Sequence, residues 1–188
     1  MSVTGAAPPI DWAAQTLRFW FADHGESDWF RGGAAFDEAV RRTLAPWRQA
    51  LRYYQPGDFL RDADTALAAI ILFDQVPRNS FRDTAEAFAT DALALSIARG
   101  VVARHLDRGM RDAERLFAYL PFEHSESPCD QDQAVRLVSA IGNDAWTQFA
   151  IDHRKVIARF GRFPHRNAAL GRVDRPGEAE AVAGGAAW

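Results

Sequence analysis

Cysteine, lysine and long apolar runs are all nearly missing from this chain, and each shortage excludes something. Cys129 stands alone, so no internal disulfide can form. Nothing in its cysteine usage points to an oxidising compartment, which leaves the cytoplasm as the expected location. The longest purely apolar run, Ala66 to Phe73, has eight residues, against about 20 needed to cross a bilayer. Met1 to Ile10 has neither the basic start nor the apolar stretch of a signal peptide, so no membrane or export role is expected. A net charge of −3 and a sequence pI near 5.9 speak against nucleic-acid binding, which usually shows a basic domain. The glycine fingerprints of nucleotide-binding loops are missing. The five histidines, His24, His105, His124, His153 and His165, include no pair at i, i+3 or i, i+4, so no metal site is expected. No cofactor is indicated.

Lys155 is the only lysine among 22 basic residues. Two readings remain open: the codon bias of a GC-rich genome, or a need for planar, bidentate guanidinium groups facing carboxylate or phosphate. Only the clustered arginines favour the second. Between His153 and Arg172 lie Arg154, Lys155, Arg159, Arg162, Arg166 and Arg172 with two histidines and no acid, in a chain that is acidic overall.

The 188 residues suit one domain, and 48% hydrophobic with 25% charged residues is ordinary for a globular protein. Six Trp and thirteen Phe point to an aromatic core. No segment keeps a period of two, whereas the helical period recurs throughout. Residues 10–21 form a first stripe behind Pro8 and Pro9. Phe36, Val40, Leu44, Trp47, Leu51 and Tyr54 form a second, broken at Pro46. A nearly all-apolar helix is expected over 64–74, closed by Pro77. Asp83 and Glu86 have the spacing of a capping box ahead of a helix reaching 97–104. Further helices are expected over 112–120, stopping at Pro121; from Ser127-Pro128 to 141; and over 144–160, with Gly161 as its cap. A short helix after Pro164 ends at Gly171, and 175–188 reads as a poorly ordered tail. The predicted fold is all-α, an antiparallel array of seven or eight helices in a single domain spanning 1–188.

Chemistry-bearing residues gather at the predicted helix ends. Asp74, facing the negative end of a helix dipole, wants a cation; Arg78 and Arg82 are local candidates, Arg162 and Arg166 distant ones. Asn79 lies beside them. The run Glu123-His124-Ser125-Glu126 offers His124 as a general acid or base, its imidazole tuned by carboxylates, or simply as a loop anchor before the next helix. A hydrolytic triad is not expected, since adjacent residues diverge and no nucleophile elbow exists. His153 shares a face with Trp146, Ala150 and Ile157, flanked by Phe149, Val156 and Phe160; it is either a neutral core residue or a ligand contact. Around Pro164, the amides of His165, Arg166 and Asn167 and the nearby guanidinium groups could hold an anion, or the arginines could pair with Asp74, Glu123 or Glu126.

Phe73-Asp-Gln-Val-Pro-Arg-Asn79, Ala87-Phe-Ala-Thr-Asp-Ala-Leu-Ala94, Tyr119-Leu-Pro-Phe-Glu-His-Ser-Glu126 and Arg159-Phe-Gly-Arg-Phe-Pro-His-Arg-Asn167 follow one another in an order that resembles a bacterial family called domain of unknown function 924. The resemblance covers roughly 12–172. It implies an all-helical, tetratricopeptide-like fold and assigns no activity, cofactor or catalytic residue. Family members usually continue with a Ser-Thr pair and an acidic helix, whereas this chain has Val173-Asp-Arg-Pro176 and an Ala/Gly tail, so a packed final helix is not expected.

These readings converge on a helical protein binding a small carboxylate- or phosphate-bearing metabolite. Arg78, Arg82, Arg162 and Arg166 would hold the anion, Asn79 and Asn167 would orient it, His153 would contact it, and His124 or His165 would transfer protons. The competing expectation is an interaction scaffold whose stacked helices receive a partner peptide.

Overall fold

The computed structural model describes residues 8–185, and these residues form eleven α-helices joined by 3-10 turns and two π turns, with no strand among them. Helix α1 (Trp12–Arg18) runs into a π turn, Phe19–Asp23, followed by a short α2 (Glu26–Arg31) between Gly25 and the glycines 32 and 33. The second apolar stripe splits into α3 (Ala34–Thr43) and α4 (Ala45–Leu51). Pro46 occupies the first turn of α4, where its missing N–H would have no partner anyway.

The most apolar segment forms the centre. In α5 (Ala63–Ile70), Asp62 caps the helix by accepting from the Thr65 amide at 2.7 Å, and every residue from Ala66 to Phe73 is buried. Helices α1, α7 and α8 pack against it. Complete burial of its Leu, Ile and Phe side chains is worth about 1.5–3 kcal/mol each. Pro77 does not close this helix as its position predicts. A π turn, Ile71–Gln75, widens the spiral and hands the chain to α6 (Val76–Ser80), with Pro77 in its first turn.

The Asp83–Glu86 capping box does not form either. Asp83 has a φ of 61°, and the Glu86 carboxylate instead accepts from Arg48 at 2.7 Å and Arg52 at 2.6 Å. That contact ties α4 to the 3-10 turn Ala85–Phe88 ahead of α7 (Asp91–Ala103). Helix α8 (Asp112–Glu123) continues through Pro121 rather than stopping there. The extra turn carries Glu123 into the interior. Helices α9 (Pro128–Ser139) and α10 (Asp144–Phe160) follow after short loops and pack in succession on α8. Helix α10 begins under Asn143, which accepts from the Trp146 amide, and ends, as expected, at Gly161 in the left-handed region, φ 69°.

After Pro164 the chain makes a 3-10 turn, Pro164–Arg166, and then a series of turns to Gly171. The expected fraying from residue 175 is overturned. Helix α11 (Glu178–Ala183) docks through Glu178, which is 0% exposed. Its carboxylate accepts from Arg162 at 2.7 and 2.8 Å, from Asn167 at 2.9 Å and from the Arg175 amide at 2.7 Å. Residues 1–7 of the proline-led N-terminal segment and 186–188 of the expected tail lie outside the described residues.

Candidate functional site

The extra turn of α8, the π turn before α6, the middle of α10 and the turn after Phe163 meet around a cavity of about 530 Å³, a size suited to a small organic molecule. Its walls are aromatic: Trp29 and Phe30 from α2, Phe88, Trp146 and Phe149 from α10, and Phe163. Its polar lining includes Arg78, Asn79, Arg82, Glu123, His124, His153, His165 and Arg166.

Asp74, fully buried, organises one side. His124 Nδ1 lies 2.8 Å from its Oδ1, the Arg78 guanidinium 3.2 Å away, and Gln75 Nε2 donates at 2.6 Å. Burial alone would raise the Asp74 carboxyl, but Arg78 and His124 outweigh it and hold it far below the usual carboxylate range. With Nδ1–H donated to this carboxylate, the lone pair of the His124 ring sits on Nε2. Burial, then the charge of Arg78, lowers the His124 imidazole despite Asp74, so the ring is neutral at physiological pH.

Arg78 also reaches Asp91 of α7 through two bonds, 2.8 and 2.9 Å, and Arg166 shares the same carboxylate at 3.1 Å. The Arg166 guanidinium lies between the Phe88 and Phe163 rings, 4.7 and 4.6 Å from their centroids, and donates to the His124 carbonyl at 2.9 Å. Its Nε–H is buried without a partner among the described residues, as is His165 Nδ1. Burial and the neighbouring Arg78 lower Arg166 to about 10, and burial and Arg166 lower His165 to about 4.

Glu123 and His153 form the innermost pair. Glu123 is 2% exposed, with Oε2 3.7 Å from His153 Nδ1 and Oε1 buried without a partner. No arginine or lysine pairs with it among the described residues. Burial and the nearby charge of Asp74 push its carboxyl up to about 8, leaving it mostly protonated at neutral pH. His153 Nδ1 is bonded to the Phe149 carbonyl at 2.9 Å, and burial, then His124, lowers the ring to about 3.

Seven of the nine residues singled out by the sequence therefore meet at this cavity: Arg78, Asn79, Arg82, His124, His153, His165 and Arg166. Asn79 and Arg82 sit toward the rim and both bond to Asp37 of α3. Arg162 and Asn167 do not line it. They hold Glu178, with Arg162 also donating to the Val173 carbonyl and Asn167 to Asp174. Ser125 donates to Asp130 rather than meeting His124, and Glu126 accepts from the Phe163 amide and Arg172. Sequence reasoning did not single out Glu123 as a lining residue, offering it only as a carboxylate beside His124 or as one alternative partner for the arginines. It also missed the aromatic walls, whose spacing reads equally well as core. No cluster of three His, Cys, Asp or Glu side chains placed to hold a metal ion occurs among the described residues, and no helix is long and apolar enough to cross a membrane.

The family described as bacterial protein of unknown function, DUF924, matches residues 16–186. Among solved structures, a protein of unknown function from Agrobacterium tumefaciens is similar, with a TM-score of 0.85 and 36% identity over 90% of this chain and 96% of that one. No curated protein matches the chain.

Proposed function

The chain belongs to the DUF924 family of bacterial proteins, and from the geometry of its cavity we propose that it is a cytoplasmic protein binding a small metabolite that carries a carboxylate or phosphate on an apolar or aromatic body. The observation that carries this reading is the pair of partnerless buried nitrogens, Arg166 Nε and His165 Nδ1, on an aromatic-walled cavity. Buried polar atoms are rarely left unbonded, and both of these nitrogens can donate to an oxyanion. Since Asp74 and Asp91 already balance the charges of Arg78 and Arg166, recognition rests on directed donors and ring stacking rather than on an open positive field. Arg78 acts chiefly by fixing Asp74 and Asp91. His124, its Nδ1 anchored by Asp74, would accept a proton at Nε2 from a bound molecule.

Benzoate and phenyl phosphate test the reading by thermal shift and calorimetry, because a ligand of the folded state raises Tm. The expected result is saturable binding that His165→Ala weakens about tenfold or more while leaving the Tm of the unliganded protein within about 2 °C, the loss of a charge-assisted hydrogen bond. Failure of both probes, or binding indifferent to His165→Ala and Phe149→Ala, would overturn it and favour a partner peptide.

A further inference from the structure

We propose that Glu123 is a ligand-binding residue of this cavity, acting as an uncharged carboxylic acid that donates its O–H to the bound oxyanion. The inference rests on the oxyanion reading above and specifies what the deepest wall contributes. Glu123 is 2% exposed, lines the cavity, and leaves Oε1 with no partner among the described residues. An ionised carboxylate in that position would need a cation or several donors, and the described residues supply neither.

Every element around it agrees. The π turn presents Asp74, an anion that opposes a second negative charge nearby. Arg78 of α6 is bonded to Asp74 and Asp91, and Arg166 to Asp91 and the His124 carbonyl. The three imidazoles, His124, His153 and His165, are neutral at physiological pH and bring no compensating charge. From α9, Gln131 donates to the Glu123 backbone carbonyl at 2.6 Å and not to its carboxyl. His153 gives its Nδ1 proton to the Phe149 carbonyl, with Glu123 Oε2 the nearer carboxyl oxygen at 3.7 Å. That placement favours Oε2 as the C=O and Oε1 as the O–H. Glu123 O–H, Arg166 Nε–H and His165 Nδ1–H would then all be donors to one acceptor group, a set that fits carboxylate or phosphate oxygens.

An uncharged Glu123 also sets a pH limit. Above about pH 8 its proton leaves, and the resulting anion repels the ligand, so affinity falls about tenfold per pH unit.

The test has two arms. Infrared difference spectra of the unliganded protein between about pH 7 and pH 9 report the C=O stretch of a protonated carboxyl directly. The band is expected in the natural protein at pH 7, fading with alkali and absent in Glu123→Gln. Calorimetry with benzoate and phenyl phosphate over the same range, below the titration of Arg166, should show the alkaline loss of affinity. Glu123→Gln, whose amide N–H replaces the O–H, should bind within about threefold of the natural protein at pH 7 and stay level to pH 9. A missing carboxyl band, or an alkaline limb retained in Glu123→Gln, would overturn this proposal while leaving the oxyanion site standing if His165→Ala still weakens binding. Failure of both probes would remove the site and this role for Glu123 together, even if the band is present.

Discussion

Two neighbouring groups of side chains, both drawn from the stretch 159–172, behave in opposite ways. Arg162 and Asn167 close on Glu178 together with the Arg175 amide, a clasp in which the buried carboxylate receives four donors. One turn away, His165 and Arg166 line the cavity and keep nitrogens that have no partner among the described residues. Residue chemistry does not distinguish them, since each group contains an arginine and a second polar side chain. The difference lies in whether a carboxylate with no other duty stands opposite. Glu178 is committed to the clasp, and hydrogen bonding to Arg162 holds its carboxyl down at about 2. Asp91 is divided between two arginines. Structural and functional arginines are thus separated by the supply of acid, and this separation can be broken experimentally from either side.

The largest stability effect belongs to the clasp. Glu178→Gln should lower Tm by about 5–10 °C, in the range seen when a buried pair loses one partner, while benzoate affinity measured on the folded fraction stays unchanged. Acid acts on the same carboxyl: its folded value lies below the ordinary 4.5, so the stabilisation is complete above that value and disappears as pH falls through about 2. His165→Ala inverts the pattern, with affinity falling about tenfold or more and Tm moving little.

Opposite in sign to the clasp is the pH dependence of Glu123 in the inner cluster. Between pH 4.5 and about 8 the folded protein keeps a Glu123 proton that the unfolded chain releases, so this group makes stability fall as pH rises through that window. His153 and His165 oppose it. Below 6.5 the unfolded chain takes up protons that the folded rings refuse down to about 3 and 4, so stability climbs with pH up to 6.5. Melting curves should therefore show the advantage of Glu123→Gln over the natural protein growing from pH 4.5 to 8 and then levelling. Phe149→Ala gives the smallest effect. The residue is 61% exposed at the cavity wall, so Tm should shift by less than about 2 °C, while binding of phenyl phosphate weakens a few-fold.

Local signals were readable where they were complete in themselves. Gly161 closes α10 where it was expected to, because a left-handed glycine suffices to stop a helix. Arg78, His124 and Arg166 were recognisable as partners because each stood at a helix end with unmet bonding needs. The prolines misled. Pro77 and Pro121 read as stops, yet one falls in the first turn of a new helix after a π turn and the other inside the last turns of α8. Glu123 was not singled out, for the same reason: the stop expected at Pro121 left it on a loop rather than on the last turn of a helix facing the interior. Glu178 was invisible within an Ala/Gly-rich tail because its anchor, Arg162, lies sixteen residues earlier, and no periodicity connects them.

The π turn at Ile71–Gln75 has a consequence for how this chain can change length. A π turn holds more residues per revolution than the α-helices on either side, and Asp74 faces inward toward His124 because of that local widening. Losing a single codon there would let the spiral run as plain α-helix, turning everything before it by about 100° relative to α6. Asp74 and its helix could not then both keep their neighbours. Gains and losses of residues during descent are expected in the surface turns, while the spacing between α5 and Arg78 stays constant as a matter of helical phase.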